Sequence, residues 1–271
     1  MTRVAVTGAA GRMGKTLVQA IHASDDLNLG GAFERAGLSL LGADAGDLAG
    51  VGSLGVTLGD DLAAATSGFD VLIDFSVPDA TLSNVRVCAE AGKPMVIGTT
   101  GFTEAGLADI RRAAANIPIM MAPNMSVGVN VTFKLIEMAA RALGDEVDVE
   151  VYEAHHRDKI DAPSGTAVRM GEILAQTLQR DLGKDAIYGR HGITGARERR
   201  SIGFQSVRGG DIVGEHTVLF AGSGERIEIT HRAQSRMNFA QGALRAVRFV
   251  AERQEGLFDM QDVLGLSGAL Q

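Results

Sequence analysis

A chain of 271 residues with 45% hydrophobic and 4% aromatic residues and no Trp holds enough apolar material for one large domain or two modest ones, and too much for a disordered segment. Its 26 Lys and Arg against 33 Asp and Glu leave a net charge of −7, which argues against a general nucleic-acid binder but permits a local basic pocket for a small acidic substrate. One cysteine, Cys88, rules out an internal disulfide or a multi-thiolate metal site; with no run of roughly 18 apolar residues and no apolar leader at Met1-Thr2-Arg3, the cytoplasm is the expected compartment and a membrane partner is not expected.

Val4-Ala5-Val6-Thr7 is a β-branched run that breaks into Gly8-Ala9-Ala10-Gly11-Arg12-Met13-Gly14, after which Leu17, Val18 and Ile21 recur at helical spacing. Strand, glycine turn and helix in that order form a variant of the dinucleotide fingerprint. The glycines allow a tight turn and a close approach to a pyrophosphate, which the helix N-terminus then favours. A plain strand-to-helix turn is the alternative. The next run, Leu29-Gly30-Gly31-Ala32-Phe33, ends in Glu34-Arg35, roughly 20 residues beyond the glycines, where an acid is expected to take the ribose hydroxyls. Arg35 suits a 2′-phosphate instead, so the pair predicts use of both NADH and NADPH; an ordinary solvated charge pair is the competing reading.

Residues 37–55 are rich in Gly, Asp and Ala and read as a surface excursion. Asp70-Val71-Leu72-Ile73-Asp74-Phe75 is a buried strand of the parallel kind, followed by a helix start at Ser76-Val77-Pro78-Asp79. Cys88 falls at an apolar position of that helix, with nothing local to lower its pKa, and a catalytic thiol is disfavoured. Pro94-Met95-Val96-Ile97 and Ile117-Pro118-Ile119-Met120-Met121 are further buried strands. They run into Gly98-Thr99-Thr100-Gly101-Phe102 and Ala122-Pro123-Asn124-Met125-Ser126, polar turns at strand carboxyl ends, where open α/β sheets bind ligands. Alternating strands and helices over residues 4–121 predict a doubly wound parallel domain.

Val127, Val131, Leu135, Met138 and Ala142 recur at helical spacing and lead into a second domain. Val147, Val149 and Val151 alternate with polar residues as a half-exposed strand, and alternation returns over residues 202–207, 216–220 and 227–230. A mixed sheet with one helix over about residues 164–180 accounts for these runs. Residues 181–200 read as a loop that is basic near its end, and Phe239, Ala243, Leu244, Val247 and Val250 form a helix that can return to the first domain. The expected boundaries are 1–126, completed by 239–271, and 127–238.

The segment Glu153-Ala154-His155-His156-Arg157-Asp158-Lys159-Ile160-Asp161-Ala162-Pro163-Ser164-Gly165-Thr166 is the densest in chemistry. If the strand from Val147 continues, residues 153 and 155 share a face with the valines and His156 points to the other side. Adjacent histidines without a Cys partner make poor zinc ligands; a structural histidine is the competing reading for any single one, His191 and His231 above all. Ser164 is a natural N-cap, and the helix N-terminus behind it, with Lys159 nearby, suits a carboxylate.

This segment closely resembles the signature of the 4-hydroxy-tetrahydrodipicolinate (dihydrodipicolinate) reductase family. The resemblance extends over Gly8 to Gly14, Glu34-Arg35, Gly98 to Phe102, Asn124 to Asn130 and Gly209 to His216. Asp158 departs from members with a further His there. The resemblance implies a Rossmann-like domain built from both chain ends, a smaller α+β domain with a mixed sheet for substrate and homotetramer formation, and hydride transfer from NADH or NADPH in lysine and diaminopimelate biosynthesis. The substrate is a cyclic imine dicarboxylate, reduced at C4 and protonated at C3. By position, Gly8, Ala9, Ala10, Gly11, Arg12, Met13, Glu34, Arg35, Gly98, Thr99, Thr100, Ala122, Pro123, Asn124 and Met125 hold the cofactor. His156, Lys159, Ser164, Gly165, Thr166 and Thr100 hold substrate, and His155 and Lys159 are the candidates for proton transfer; no metal is implied.

An unperturbed His near pKa 6.5 suits neutral pH better than a Lys near 10.4, although a Lys among cations and partly desolvated can be lowered into range. The expectation is that His155 exchanges the proton while Lys159 fixes a carboxylate and can donate. A related dehydrogenase for another amino or keto acid is the rival enzyme reading. A nucleotide sensor without turnover is the rival from another class, and the His/Lys cluster speaks against it.

Overall fold

The computed structural model describes residues 1–267, so the last four residues of the expected segment 239–271 lie outside it. The chain forms two compact units, Met1–Val127 with the return from Arg236 onward, and Gly128–Ser235. In order the elements are β1 (Thr2–Thr7), α1 (Arg12–His22), β2 (Leu27–Phe33), α2 (Ala45–Ala49), β3 (Leu58–Gly59), β4 (Val71–Asp74), α3 (Pro78–Ala91), β5 (Met95–Ile97), α4 (Glu104–Ala113), β6 (Pro118–Met121) and α5 (Val127–Leu143). They continue as β7 (Asp148–His155), α6 (Gly165–Thr177), α7 (Leu182–Asp185), β8 (Ala186–Tyr188), β9 (Ile202–Arg208), β10 (Gly214–Ala221), β11 (Arg226–Ala233), α8 (Met237–Ala251), β12 (Gly256–Phe258) and α9 (Met260–Val263).

In the first unit the strands make one parallel sheet, ordered β12-β6-β5-β4-β1-β2-β3. Both faces are apolar, as a doubly wound sheet requires. Val4, Val6, Ile73, Val96 and Met120 pack with Leu17 and Ile21 of α1 and Ala243, Leu244 and Val247 of α8. Residues of opposite parity, Ala5, Leu72, Met95, Ile97 and Ile119, pack with Val85 and Cys88 of α3 and Ile110 of α4. Burial pushes the Cys88 thiol up to about 12, with Asp74 adding to the effect, so it is a core residue and not a nucleophile.

Two features of this unit go beyond the sequence reading. The excursion after β2 is ordered: the Asp44 carboxylate accepts hydrogen bonds from the amides of Gly46, Asp47, Leu54 and Gly55 and from the Ser53 hydroxyl, capping α2 and closing the loop in an Asx arrangement that composition alone does not reveal. The return after α8 also adds a seventh strand, β12, paired in parallel with β6; three residues carry too little periodicity to be recognised.

The second unit is a mixed sheet ordered β11-β10-β7-β9-β8, with β7, β8 and β9 parallel and β10 antiparallel to β7 and β11. Val149 and Val151 of β7, Ile202 and Phe204 of β9, and Val218 and Phe220 of β10 pack against α5 and α6. On α5 the buried apolar residues are Val129, Phe133, Ile136 and Ala140, while Val131, Leu135 and Met138 stay 38–46% exposed. The helix is apolar on two sides, so spacing marks a stripe without saying which one meets the sheet. The basic stretch read as a loop contains α7 and β8, and its Arg197 bonds to Asp148, Glu150 and the Val149 and Ser201 carbonyls. No described helix is long and apolar enough to cross a membrane.

Candidate active site

Parallel pairing brings the carboxyl ends of β1, β2, β4, β5 and β6 to one edge of the first sheet, and β1 with β4 forms the point where strand order reverses, the usual dinucleotide crevice. After β1 the chain turns through Gly8, whose φ of +66° is in the left-handed region. The Gly11 amide donates to the Gly8 carbonyl at 3.0 Å, and a Cβ on Gly14 would strike the Gly8 carbonyl and the Ala9 backbone. No side chain caps the start of α1, which leaves its amides facing a ligand position bordered by Ala9, Ala10, Arg12 and Met13. At the end of β2, Glu34 Oε1 accepts from the Ala10 amide at 3.2 Å, and Arg35 is exposed. These residues fit a dinucleotide.

The next two turns divide differently. Gly98 leaves space that the Phe75 ring occupies. The Thr99 hydroxyl faces inward, accepting from the Ser76 amide and the Thr81 hydroxyl and donating to the buried Asp74 carboxylate, so Thr99 offers a ligand its backbone alone. Thr100 is exposed. After β6, Ala122 and Met125 are core residues and Pro123 and Asn124 lie outward, with Asn124 Oδ1 accepting from the Ser126 amide at 2.9 Å.

In the second unit β7 ends at His155, so His156 lies in the following turn, half-buried, rather than on the far face of a strand. Glu153 and His155 are buried on the same face as Val149 and Val151. Cross-strand register puts Glu153 opposite Ser206 on β9 and His216 on β10, and His216 opposite His231 on β11. The Glu153 carboxylate accepts from His155 Nδ1 at 2.6 Å, from both Arg208 Nη atoms at 2.8 and 2.7 Å, and from the Ser164 amide at 3.2 Å. Burial alone would raise its pKa; the hydrogen bonds from Arg208 and His155 outweigh that and hold it at about 2. Burial moves His155 the other way, below its ordinary value, against the opposing pull of Glu153.

The His216 ring meets His155 edge-on, with centroids 5.0 Å apart, and its Nε2 shares a 2.8 Å hydrogen bond with the Ser164 hydroxyl. Burial, with His155 beside it, drives His216 down to about 3, so it is neutral at working pH. Ser164 caps α6 by accepting from the Ala167 amide. A Cβ on Gly165 would meet nothing within 4 Å, so the first turn of α6 is open beside Gly165 and Thr166. Lys159 Nζ donates to Asp161 at 2.9 Å with a side chain 20% exposed.

A family model described as the N-terminus of dihydrodipicolinate reductase matches residues 2–125, and one described as its C-terminus matches residues 128–264. The chain belongs to the dihydrodipicolinate reductase family. Proteins named 4-hydroxy-tetrahydrodipicolinate reductase from Alkalilimnicola ehrlichii and Chromohalobacter salexigens are similar along their whole length. The first is 58% identical over 98% of this chain and 99% of its own, the second 59% identical over 99% and 100%. A dipicolinate-bound dihydrodipicolinate reductase from Paenisporosarcina sp. superposes with a TM-score of 0.77 at 24% identity, covering 97% of this chain and 98% of that one, a likeness of fold.

For a dihydrodipicolinate reductase, the structure brings His155, Lys159, Ser164, Gly165 and Thr166 to one end of the second unit, and the glycine turn, Glu34, Gly98 and Ala122 to one edge of the first sheet. Sequence reasoning assigned no chemistry to Glu153, Arg208 or His216, which surround His155. Alternation did carry a signal: His216 has the parity of the buried Val218 and Phe220, and an inward polar residue on a strand needs a partner. Among the described residues no group of His, Cys, Asp or Glu could hold a metal ion.

Proposed function

We propose that the end of β7 and the start of α6 form the substrate-binding and proton-transfer site of this reductase. The chain is an NAD(P)H-dependent oxidoreductase that reduces 4-hydroxy-tetrahydrodipicolinate to tetrahydrodipicolinate in lysine and diaminopimelate biosynthesis. Bound NADH or NADPH supplies the hydride that arrives at C4. His155 exchanges the proton at C3 through Nε2. Lys159, by exchanging Asp161 for a substrate carboxylate, fixes one end of the dianion, and His156, Ser164, Gly165 and Thr166 complete the binding of substrate on this unit. The single observation that carries this reading is the buried Glu153–His155 pair beside an open helix N-terminus.

The cofactor assignments rest on the turn after β1, on Glu34 and Arg35, and on the turns at residues 98–100 and 122–125. Glu34 suits ribose hydroxyls and exposed Arg35 suits a 2′-phosphate, so both cofactors are used. Arg35→Ala is expected to raise KM for NADPH about tenfold or more, the worth of a hydrogen bond to a charged group, and to leave KM for NADH within about twofold; steady-state kinetics with each cofactor measure both. Assembly as a homotetramer is supported by the second face of the mixed sheet, where Tyr152 is 41% and Val207 40% exposed, an uncovered surface of the kind that subunits bury.

The activity test couples the protein to the preceding synthase supplied with pyruvate and aspartate semialdehyde, following loss of reduced nicotinamide. Oxidation of both NADH and NADPH is the expected result. Oxidation of neither returns the protein to the nucleotide-sensor reading.

A further inference from the structure

His155 has two ring nitrogens, and only one can face the substrate. Nδ1 lies 2.6 Å from Glu153 Oε2. An ionised carboxylate only accepts hydrogen bonds, so Nδ1 carries a proton whether the ring is neutral or charged. That leaves Nε2 as the nitrogen that gains and loses a proton. It sits beside Gly214, where a Cβ would stand 3.0 Å away, and the His155 side chain retains 11% exposure, so glycine at that position keeps the nitrogen reachable.

Glu153 is itself immobilised. Arg208 grips both carboxylate oxygens and extends Nη2 to the Asp161 carbonyl at 2.6 Å and Nη1 to the Val207 carbonyl at 2.7 Å, while the Ser164 amide holds Oε1. Strand β9 and the cap of α6 both converge on one buried carboxylate, and the turn before α6 holds the Arg208 cation in place. The groups facing His155 are therefore Glu153 on its own strand, Arg208 on β9, neutral His216 on β10, and Lys159 with Asp161 from the following turn.

We propose that Glu153, clamped by Arg208, is a positioning residue for the reduction: it fixes His155 as the Nδ1-protonated tautomer and steadies the imidazolium whose Nε2 proton goes to substrate C3. This rests on the reading of His155 as the proton-exchanging group. The proton leaves Nε2, the new C–H bond forms at C3 with the electron pair released by hydride addition at C4, and the ring returns to its neutral Nδ1–H form. Glu153 never becomes protonated. The arrangement serves the same end as the carboxylate behind the histidine of a hydrolase triad, on an unrelated fold.

Two measurements test it. In the wild-type holoenzyme labelled with ¹⁵N-histidine, neutral His155, assigned by the signal lost in His155→Ala, is expected to show a protonated Nδ1 and an unprotonated Nε2. An Nε2-protonated neutral ring overturns the proposal while leaving the proton-transfer role of His155 intact. In Glu153→Gln, kcat is expected to fall about tenfold or more, and the decline of kcat/KM with rising pH to begin at lower pH, because the imidazolium has lost its anionic partner. KM for NADPH stays within about twofold. An unchanged pH profile overturns the proposal, since loss of packing alone would not move it; an unchanged kcat in His155→Ala overturns the reading of His155 on which it depends. Should Glu153→Gln fail to fold, the ¹⁵N measurement decides alone.

Discussion

His155→Ala lowers kcat about 10²–10⁴-fold and leaves KM for the dicarboxylate nearly unchanged. The expected loss is what a positioned general acid contributes, equivalent to about 3–5 kcal/mol of the barrier. It falls on kcat because the groups assigned to the carboxylates, Lys159 and the start of α6, remain in place. The edge-on contact with His216 and the bond to Glu153 are lost as well; both partners keep other bonds, to Ser164 and to Arg208, so the fold survives. Steady-state kinetics with either cofactor check the result. A raised KM with unchanged kcat would transfer the proton to Lys159 and make His155 a binding group.

Arg208→Met destabilises the second unit by about 3–5 kcal/mol at pH 7, the cost of leaving a buried carboxylate without its cation, read from the midpoint of urea unfolding. The pH dependence identifies the cause. In the wild-type protein Glu153 is held at about 2 in the folded state, against an ordinary value near 4.3. Its folded pKa is depressed, so its contribution is fully present above the ordinary value and is lost as pH falls towards about 2, roughly 3 kcal/mol in all. Without Arg208 the carboxyl protonates at higher pH, and the variant has less to lose in acid. The gap between the two proteins therefore narrows below about pH 4. A gap that stays constant with pH would assign the loss to the packing of the Arg208 stem instead.

Much of the site was legible because it is local in sequence. The turn at Gly8 to Gly14 announces itself by glycine spacing between a strand and a helix, and the buried parity of Glu153 and His155 follows from the alternation of Val147, Val149 and Val151. His156 escaped that logic because the strand stops one residue before it. Arg208 and His216 are 55 and 63 residues beyond Glu153 in number, and what joins them to it is strand register, which hydrophobic alternation restricts to a parity without choosing the partner. The exposed stripe of α5 has a similar origin: a helix apolar on two sides gives the same period whichever side meets the sheet. The short strands β3, β8 and β12 exist through pairing, not propensity, and no window of two or three residues reveals them.

The convergence on Glu153 also bears on how the second unit fluctuates. One carboxylate ties β7 to β9 through Arg208 and to the first turn of α6 through the Ser164 amide. Fraying of that turn alone would leave the buried Glu153 carboxylate short of one donor while Arg208 still holds it, so the Ser164 amide is expected to exchange its hydrogen with solvent mainly when the larger cooperative unit opens. The proposed proton-transfer site is thus expected to open as slowly as the core behind it, which amide hydrogen exchange at Ser164 would measure.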